Sequence, residues 1–110
     1  MTRNLALATV CAIVVFAATP SQAQTTEIQV TYSKGQFQPS ELQAPANKPI
    51  TIRIKNLDAK AMEFESKSLR VEKVVAANGE AIVNVRAQKP GRYEFYDDFN
   101  EKARGALTVQ

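Results

Sequence analysis

Hydrophobic and polar residues alternate with a period of two along much of the chain beyond residue 26. The stretches "EIQVTYS" (27–33) and "ITIRIKN" (50–56) show the alternation most strictly. Successive side chains of a β-strand point to opposite faces, so each stretch predicts a strand with one buried face. The positions predicted to be buried are Ile28, Val30, Tyr32, Ile50, Ile52 and Ile54.

Turn signals divide the rest of the chain into further short strands. "VEKVVAANGEAIVNVRAQ" (71–88) predicts two strands around Asn78-Gly79, a pair that readily adopts positive φ. Lys89-Pro90-Gly91 predicts the next turn, before the strand "RYEFY" and the closing stretch "GALTVQ". We expect Tyr93, Phe95, Tyr96 and Phe99 to fill the core and its walls.

Two stretches are less regular. Residues 33–49 form a turn-rich connection in which Pro39, Pro45 and Pro49 exclude a helix and Phe37 and Leu42 are the expected buried anchors. Residues 57–69 have poor periodicity, which leaves room for a short helical turn over residues 66–71. About seven short strands with turns every eight to twelve residues predict an all-β sandwich or barrel.

The first 23 residues have the pattern of a secretory signal peptide. Arg3 is followed by an apolar run from Leu5 to Ala18 and by the small-residue cleavage site Ser21-Gln22-Ala23. The expected product is one periplasmic β-sandwich domain, residues 24–110. We expect no membrane span after cleavage, because no other apolar run approaches the ~20 residues that a transmembrane helix needs.

The residue types that are missing restrict the chemistry. The chain has no histidine and no tryptophan, and its single cysteine, Cys11, lies inside the expected signal peptide. Without a histidine base or a nucleophile motif we predict no enzyme activity. A metal ion would have to be held by oxygen ligands. The segment after residue 23 holds eleven acidic and thirteen basic residues, a net charge of +2, so nucleic acid is not an expected partner.

The order of motifs resembles the cupredoxin family. The supporting stretches are "FQPSELQAPANKPITIRIKNLD", "AMEFES", "VAANGEAIVNVRAQKPGRYEFYDDFN" and "RGALTVQ". The resemblance implies a Greek-key β-sandwich. At the four positions where copper-binding members carry their ligands, this chain has Met62, Asp97, Asn100 and Ala103. A type-1 copper centre needs a thiolate and two imidazoles, so we expect none here.

A narrower likeness is to small periplasmic cupredoxin-like proteins that are encoded with bacterial iron permeases. The shared features are "EFES", a downstream "EKV" and an aromatic-acidic loop, matched here by Glu63, Glu65, Glu72, Lys73 and Asp98. This resemblance implies an accessory role in iron uptake, perhaps involving copper, with an iron permease or a periplasmic redox partner. Asn100 departs from the group's pattern, in which a histidine is usual.

The residues themselves suggest a carboxylate site. Glu63 and Glu65 share one face of a strand, and the cupredoxin arrangement would bring the Asp97–Asp98 loop towards them. Converging carboxylates would suit Fe(III), Mn(II) or Ca(II), and Met62 could add a thioether for copper. The predicted metal-binding residues are Glu63, Glu65, Asp97 and Asp98, and Met62 and Glu72 are weaker candidates. The expected cofactor is an iron or copper ion bound by these carboxylates.

Two alternatives stay open. The glutamates could form a solvated strand face paired with Lys60, Lys67 or Arg70, and the aspartates could belong to an ordinary turn. The protein would then be a metal-free cupredoxin-fold module that presents its aromatic-acidic loop to a protein partner.

Overall fold

The computed structural model describes residues 10–14 and 25–110. Nine strands lie within the second range, and no helix is found in either. The strands are β1 (Thr26–Ser33), β2 (Gln36–Gln38), β3 (Glu41–Ala44), β4 (Ile50–Asn56), β5 (Met62–Ser66), β6 (Val71–Val75), β7 (Glu80–Val85), β8 (Gly91–Asp97) and β9 (Asn100–Val109).

The strands form two sheets. One has the order β2-β1-β4-β7 and the other β3-β9-β8-β5-β6. The pairs β1–β4 and β3–β9 are parallel, and the remaining pairs are antiparallel. Neighbouring strands are therefore often distant in sequence, as in a Greek key. The predicted all-β sandwich is confirmed.

A single core lies between the sheets. Its centre is aromatic: the ring of Phe95 lies 4.9 Å from that of Phe64 and 4.9 Å from that of Phe37 between centroids. Seven of the eight positions predicted to face inward, both anchors of the turn-rich connection included, are buried. The eighth, Ile28, is half-buried and packs against them. The buried set is Val30, Tyr32, Phe37, Leu42, Ile50, Ile52 and Ile54.

The irregular stretches hold the differences from the sequence prediction. The expected connection over residues 33–49 contains β2 and β3, and the aperiodic stretch contains β5, so there are nine strands instead of about seven. Residues 67–70 form a turn closed by a 3.3 Å hydrogen bond from Arg70 N to Lys67 O, without a helix. The expectation that Phe99 fills the core is wrong: it is 58% exposed, because it lies in the two-residue turn between β8 and β9.

Gly105 lets β9 pass close to the core. A Cβ atom here would lie 2.5 Å from the Phe95 ring and 2.5 Å from the carbonyl oxygen of Ser40. Real Cβ atoms do not approach other atoms so closely, so the β8–β9 and β3–β9 pairings both depend on a glycine here.

The predicted signal peptide, residues 1–23, falls outside the described residues except for residues 10–14, so it stays a prediction. Within the described ranges, no helix is long and apolar enough to cross a membrane.

Candidate functional site

Asp97, at the end of β8, is a buried carboxylate that holds three strands together. It is 2% exposed. Its Oδ2 accepts a 2.6 Å hydrogen bond from the Tyr32 hydroxyl, and its Oδ1 accepts bonds from Glu63 N at 2.9 Å and Phe99 N at 3.0 Å. Buried carboxylates need such donors. Both oxygens already accept hydrogen bonds from the protein, so the role of Asp97 that the structure supports is structural.

Met62 is also part of the interior. It is 1% exposed and shares the inward face of β5 with Phe64, which is 0% exposed. Among the other positions that the resemblance equates with copper ligands, Ala103 is buried and Asn100 is exposed beside Asp97. None of these side chains brings the imidazole or thiolate that type-1 copper requires.

The outward face of the paired strands β5 and β6 carries the acidic cluster, by which we mean Glu63, Glu65 and Glu72. Glu65 lies directly opposite Glu72 in the β5–β6 pairing, and Glu63 is two residues away on the same face. One carboxylate oxygen from each of the three lies within 4.8 Å of the others. Like charges placed opposite one another in a sheet are destabilising, so a cation here would relieve a repulsion that the fold imposes.

Asp98 adds negative charge next to the acidic cluster. Its backbone N donates a 2.9 Å hydrogen bond to Glu63 O, which fixes the residue beside β5. The pKa values of Glu63 and Glu65 are both raised, first by partial desolvation and then by the charges of Asp98 and Glu72. Lys67 partly offsets this effect at Glu65. The two glutamates therefore favour a bound proton or cation.

The spacing suits a hard cation. Because the three oxygens lie within 4.8 Å of one another, an ion at their centre would lie at most about 2.8 Å from each of them, close to the 2.3–2.6 Å of calcium–oxygen bonds. The three glutamates leave the solvent side open for water or a chelating anion to complete the coordination.

Among the predicted metal-binding residues, the structure brings together Glu63, Glu65 and Glu72, with Asp98 alongside. It places Asp97 and Met62 below the surface. Sequence reasoning ranked Glu72 behind the others, because its place opposite Glu65 depends on the register of the β5–β6 hairpin. The metal role of each residue stays a prediction.

Two buried polar residues shape this end of the sandwich, and the sequence alone assigns a polar role to neither. The alternation predicts Tyr32 only as a core residue, although a buried phenol needs a hydrogen-bond partner. Asn56 is 0% exposed, and its Nδ2 donates to the carbonyl oxygens of Lys60, Val75 and Ala76 at 2.8–3.3 Å. The interruption of the apolar alternation of β4 by an asparagine was the available signal.

Comparison with known proteins identifies the family to which this fold belongs. The model of the family described as cupredoxin-like domain matches residues 6–109. The chain belongs to the cupredoxin-like domain family. An uncharacterized protein of Rickettsia prowazekii (strain Madrid E) is 32% identical over 84 residues, which cover 76% of this chain and 67% of that protein.

Solved structures share the fold at low sequence identity. Auracyanin A, a blue copper protein of Chloroflexus aurantiacus, superposes with a TM-score of 0.67 at 18% identity, covering 79% of this chain and all of that one. The metal-binding domain of the Cu(I)-exporting P-type ATPase CopA of Streptococcus pneumoniae gives 0.66 at 17% identity, covering 81% and 98%. These likenesses confirm the cupredoxin-like sandwich expected from the sequence.

Proposed function

We propose that this protein is a periplasmic cupredoxin-like accessory of iron or copper uptake that binds a metal ion through the acidic cluster. Glu63, Glu65 and Glu72 are the ligands, and Asp98 supplies further negative charge or a fourth ligand. Asp97 and Met62 support the site from below. The observation that carries the proposal is the convergence of three carboxylates within 4.8 Å on two paired strands.

The chemistry of the cluster favours iron over copper. Carboxylates are hard ligands that suit Fe(III) and Mn(II), whereas Cu(I) prefers sulfur. Within residues 25–110 Met62 is the one thioether, and it is buried on the opposite face of β5. The likeness of the "EFES" segment to proteins encoded with iron permeases supports iron as the cargo. A permease or a periplasmic redox protein would be the partner that exchanges the ion.

A second candidate function is a metal-free module that binds a protein partner. It is favoured by Phe99, which is 58% exposed in the β8–β9 turn next to Asp98, and by Val74, which is 54% exposed opposite Glu63. Exposed apolar side chains next to concentrated negative charge are suited to a partner with a basic rim around an apolar centre.

Calorimetric titration separates the two candidates. The purified protein would be titrated with Mn(II), Cu(II) and Fe(III) supplied as its citrate chelate, and the same titrations would be made on Glu63→Gln, Glu65→Gln and Glu72→Gln. We expect saturable binding that each substitution weakens by at least about tenfold. Substitutions of residues that only hydrogen-bond to metal ligands already lower metal affinity by about 10–100-fold. The preference among the three ions identifies the cargo.

Glu94→Gln is the matched control. Glu94 is an exposed glutamate on β8 of the same sheet and is not a member of the acidic cluster. Its substitution should leave the ion affinity unchanged. No heat with any ion, or equal losses in Glu94→Gln and Glu65→Gln, would reject the metal site and leave the interaction module.

A further inference from the structure

A groove lies between the β5–β6 turn and the connection that follows β7. Its volume is about 560 Å³, within the ~300–1,000 Å³ of sites that hold small molecules. The acidic cluster lies on the outward face of the five-stranded sheet, whereas this groove opens where the edge strands β6 and β7 face each other. We call it the arginine groove, and its polar lining residues are Ser68, Arg70, Asn84, Arg86 and Gln88.

The charge of the arginine groove has one sign. Arg70 and Arg86 both line it, and no carboxylate does. The ion pairs found among residues 25–110 involve Arg53 and Arg92, so neither groove arginine has a carboxylate within 4.0 Å in that part of the chain. Glu72 lies two residues beyond Arg70 but makes no ion pair with it. Two arginines without acidic partners in a concave site attract an anion.

The backbone of Arg70 is held in an uncommon conformation. Its φ is 58°, in the left-handed region that residues with a Cβ rarely adopt. The turn is fixed by Ser66, whose Oγ accepts a 3.2 Å bond from Leu69 N and donates a 2.6 Å bond to Glu94 O. Strained residues of this kind cluster at binding sites. The unfavourable free energy of this backbone conformation is part of the free energy of folding, so no ligand has to supply it.

The opposite wall of the arginine groove is also anchored. Gln88 Nε2 donates a 2.7 Å hydrogen bond to Arg86 O, and Gln88 O accepts a 2.8 Å bond from Asn47 N. Asn84 Oδ1 accepts a 3.4 Å bond from Thr51 Oγ1, which directs the amide NH₂ of Asn84 away from Thr51. Both walls therefore carry donors on backbone segments that internal hydrogen bonds hold in place.

We propose that the arginine groove is a binding site for the phosphate group of a small molecule or a lipid. Guanidinium groups form paired hydrogen bonds with phosphate oxygens and stay charged at every physiological pH. Arg70 would bind from one wall and Arg86 from the other, with Ser68 and Asn84 as neutral donors. This site is independent of the proposed metal site, since it uses none of the residues of the acidic cluster.

Inorganic phosphate is the first probe. The purified, isotope-labelled protein would be titrated with sodium phosphate by NMR at low ionic strength, with sodium chloride at matched ionic strength as the reference. We expect saturable shifts confined to residues 68–71 and 84–88. A parallel arm measures co-sedimentation with vesicles of phosphatidylcholine containing phosphatidylglycerol.

The two arms distinguish the source of the phosphate group. Binding of inorganic phosphate without binding to vesicles identifies a soluble phosphate compound, whereas vesicle binding that falls with Arg86→Gln identifies a lipid headgroup. The proposal is overturned if neither probe binds, or if chloride produces the same shifts as phosphate.

Charge-matched variants localise the site. Arg70→Gln and Arg86→Gln should each weaken binding of the effective probe by about fivefold or more. Arg104→Gln removes the same charge from a residue that stacks on the Tyr96 ring, 5.2 Å from its centroid, outside the groove, and should leave binding within twofold. Equal losses in all three variants would mean general electrostatic attraction and would refute a localised site. Metal binding by Arg86→Gln should be unchanged, so this test and that of the acidic cluster fail separately.

Discussion

Asp97 and Asp98 are adjacent residues with different environments. Asp97 is the last residue of β8 and faces inward below Tyr32, whereas Asp98 lies in the turn and is exposed. The pleat of the strand sends one carboxylate inward, and the turn leaves the next in solvent. The first is part of the fold, and the second contributes to the charge around the acidic cluster.

The Tyr32–Asp97 hydrogen bond predicts a large effect for a small substitution. Tyr32→Phe removes the donor to a buried carboxylate oxygen, so the free energy of unfolding should fall by about 1–3 kcal/mol, the cost of an unsatisfied buried group. Tyr93→Phe is the control, because the Tyr93 hydroxyl donates to Lys89 O at an exposed site where water can replace it. Its loss should be smaller, and denaturant unfolding of the two variants measures the difference. Equal effects would contradict the structural role of Asp97.

The same pair predicts a pH dependence. Burial and then the hydrogen bond to Asp97 raise the pKa of Tyr32 from 10.0 to about 12. Between these values the folded protein keeps a proton that the unfolded chain releases, so this residue's contribution to stability is complete below pH 10 and is lost as the pH rises towards 12. Tyr32→Phe should therefore show a shallower loss of unfolding free energy over that window. Parallel pH curves for the two proteins would rule this out.

At the scale of the elements, β6 is an edge strand that carries a charge on its inward side. Lys73 lies directly opposite the buried Phe64, so its Cβ points towards the core side while the side chain remains exposed. An inward-pointing lysine on an edge blocks pairing with the edge of another molecule. Val74, exposed on the other side of β6, would otherwise add to an adhesive edge.

Replacing this lysine should promote self-association. Lys73→Val leaves all three inward positions of β6 as valine, without a charge. We expect the average mass of this variant in sedimentation velocity to rise with concentration above that of the parent protein. Lys55→Val is the control, because Lys55 lies on β4, which is paired on both sides by β1 and β7. The edge interpretation would be refuted if both variants behaved like the parent.

At the scale of the whole molecule, folding itself assembles the acidic cluster. The β5–β6 register places Glu65 opposite Glu72, and Asp98, from the β8–β9 turn distant in sequence, lies beside Glu63. The unfolded chain has no such arrangement. An ion that binds the cluster should therefore bind the folded state selectively and stabilise it.

Thermal unfolding should report this coupling. An ion at a hundredfold excess over its Kd contributes about 2.7 kcal/mol, and each 1 kcal/mol raises the Tm of a domain this small by roughly 4–8 °C. We expect the ion that binds in calorimetry to raise the Tm by about 10 °C or more, and a chelator to reverse the rise. Without ion, Glu65→Gln should match or exceed the parent Tm, because it removes one of the mutually repelling carboxylates. A Tm rise retained in full by Glu65→Gln would place the ion elsewhere.

The sequence alone determined the sandwich and the inward positions of its regular strands, because period-two alternation is local and burial follows from it. It also predicts that this chain does not form a type-1 copper centre, because it has no histidine to supply the two imidazoles. Only the tertiary structure decided that Asp97 is buried and hydrogen-bonded to Tyr32, 65 residues away. It also decided that Glu72 lies opposite Glu65, and that Arg70 and Arg86 line one groove. Each of those outcomes depends on which strands pair and in what register, and long-range packing sets that choice.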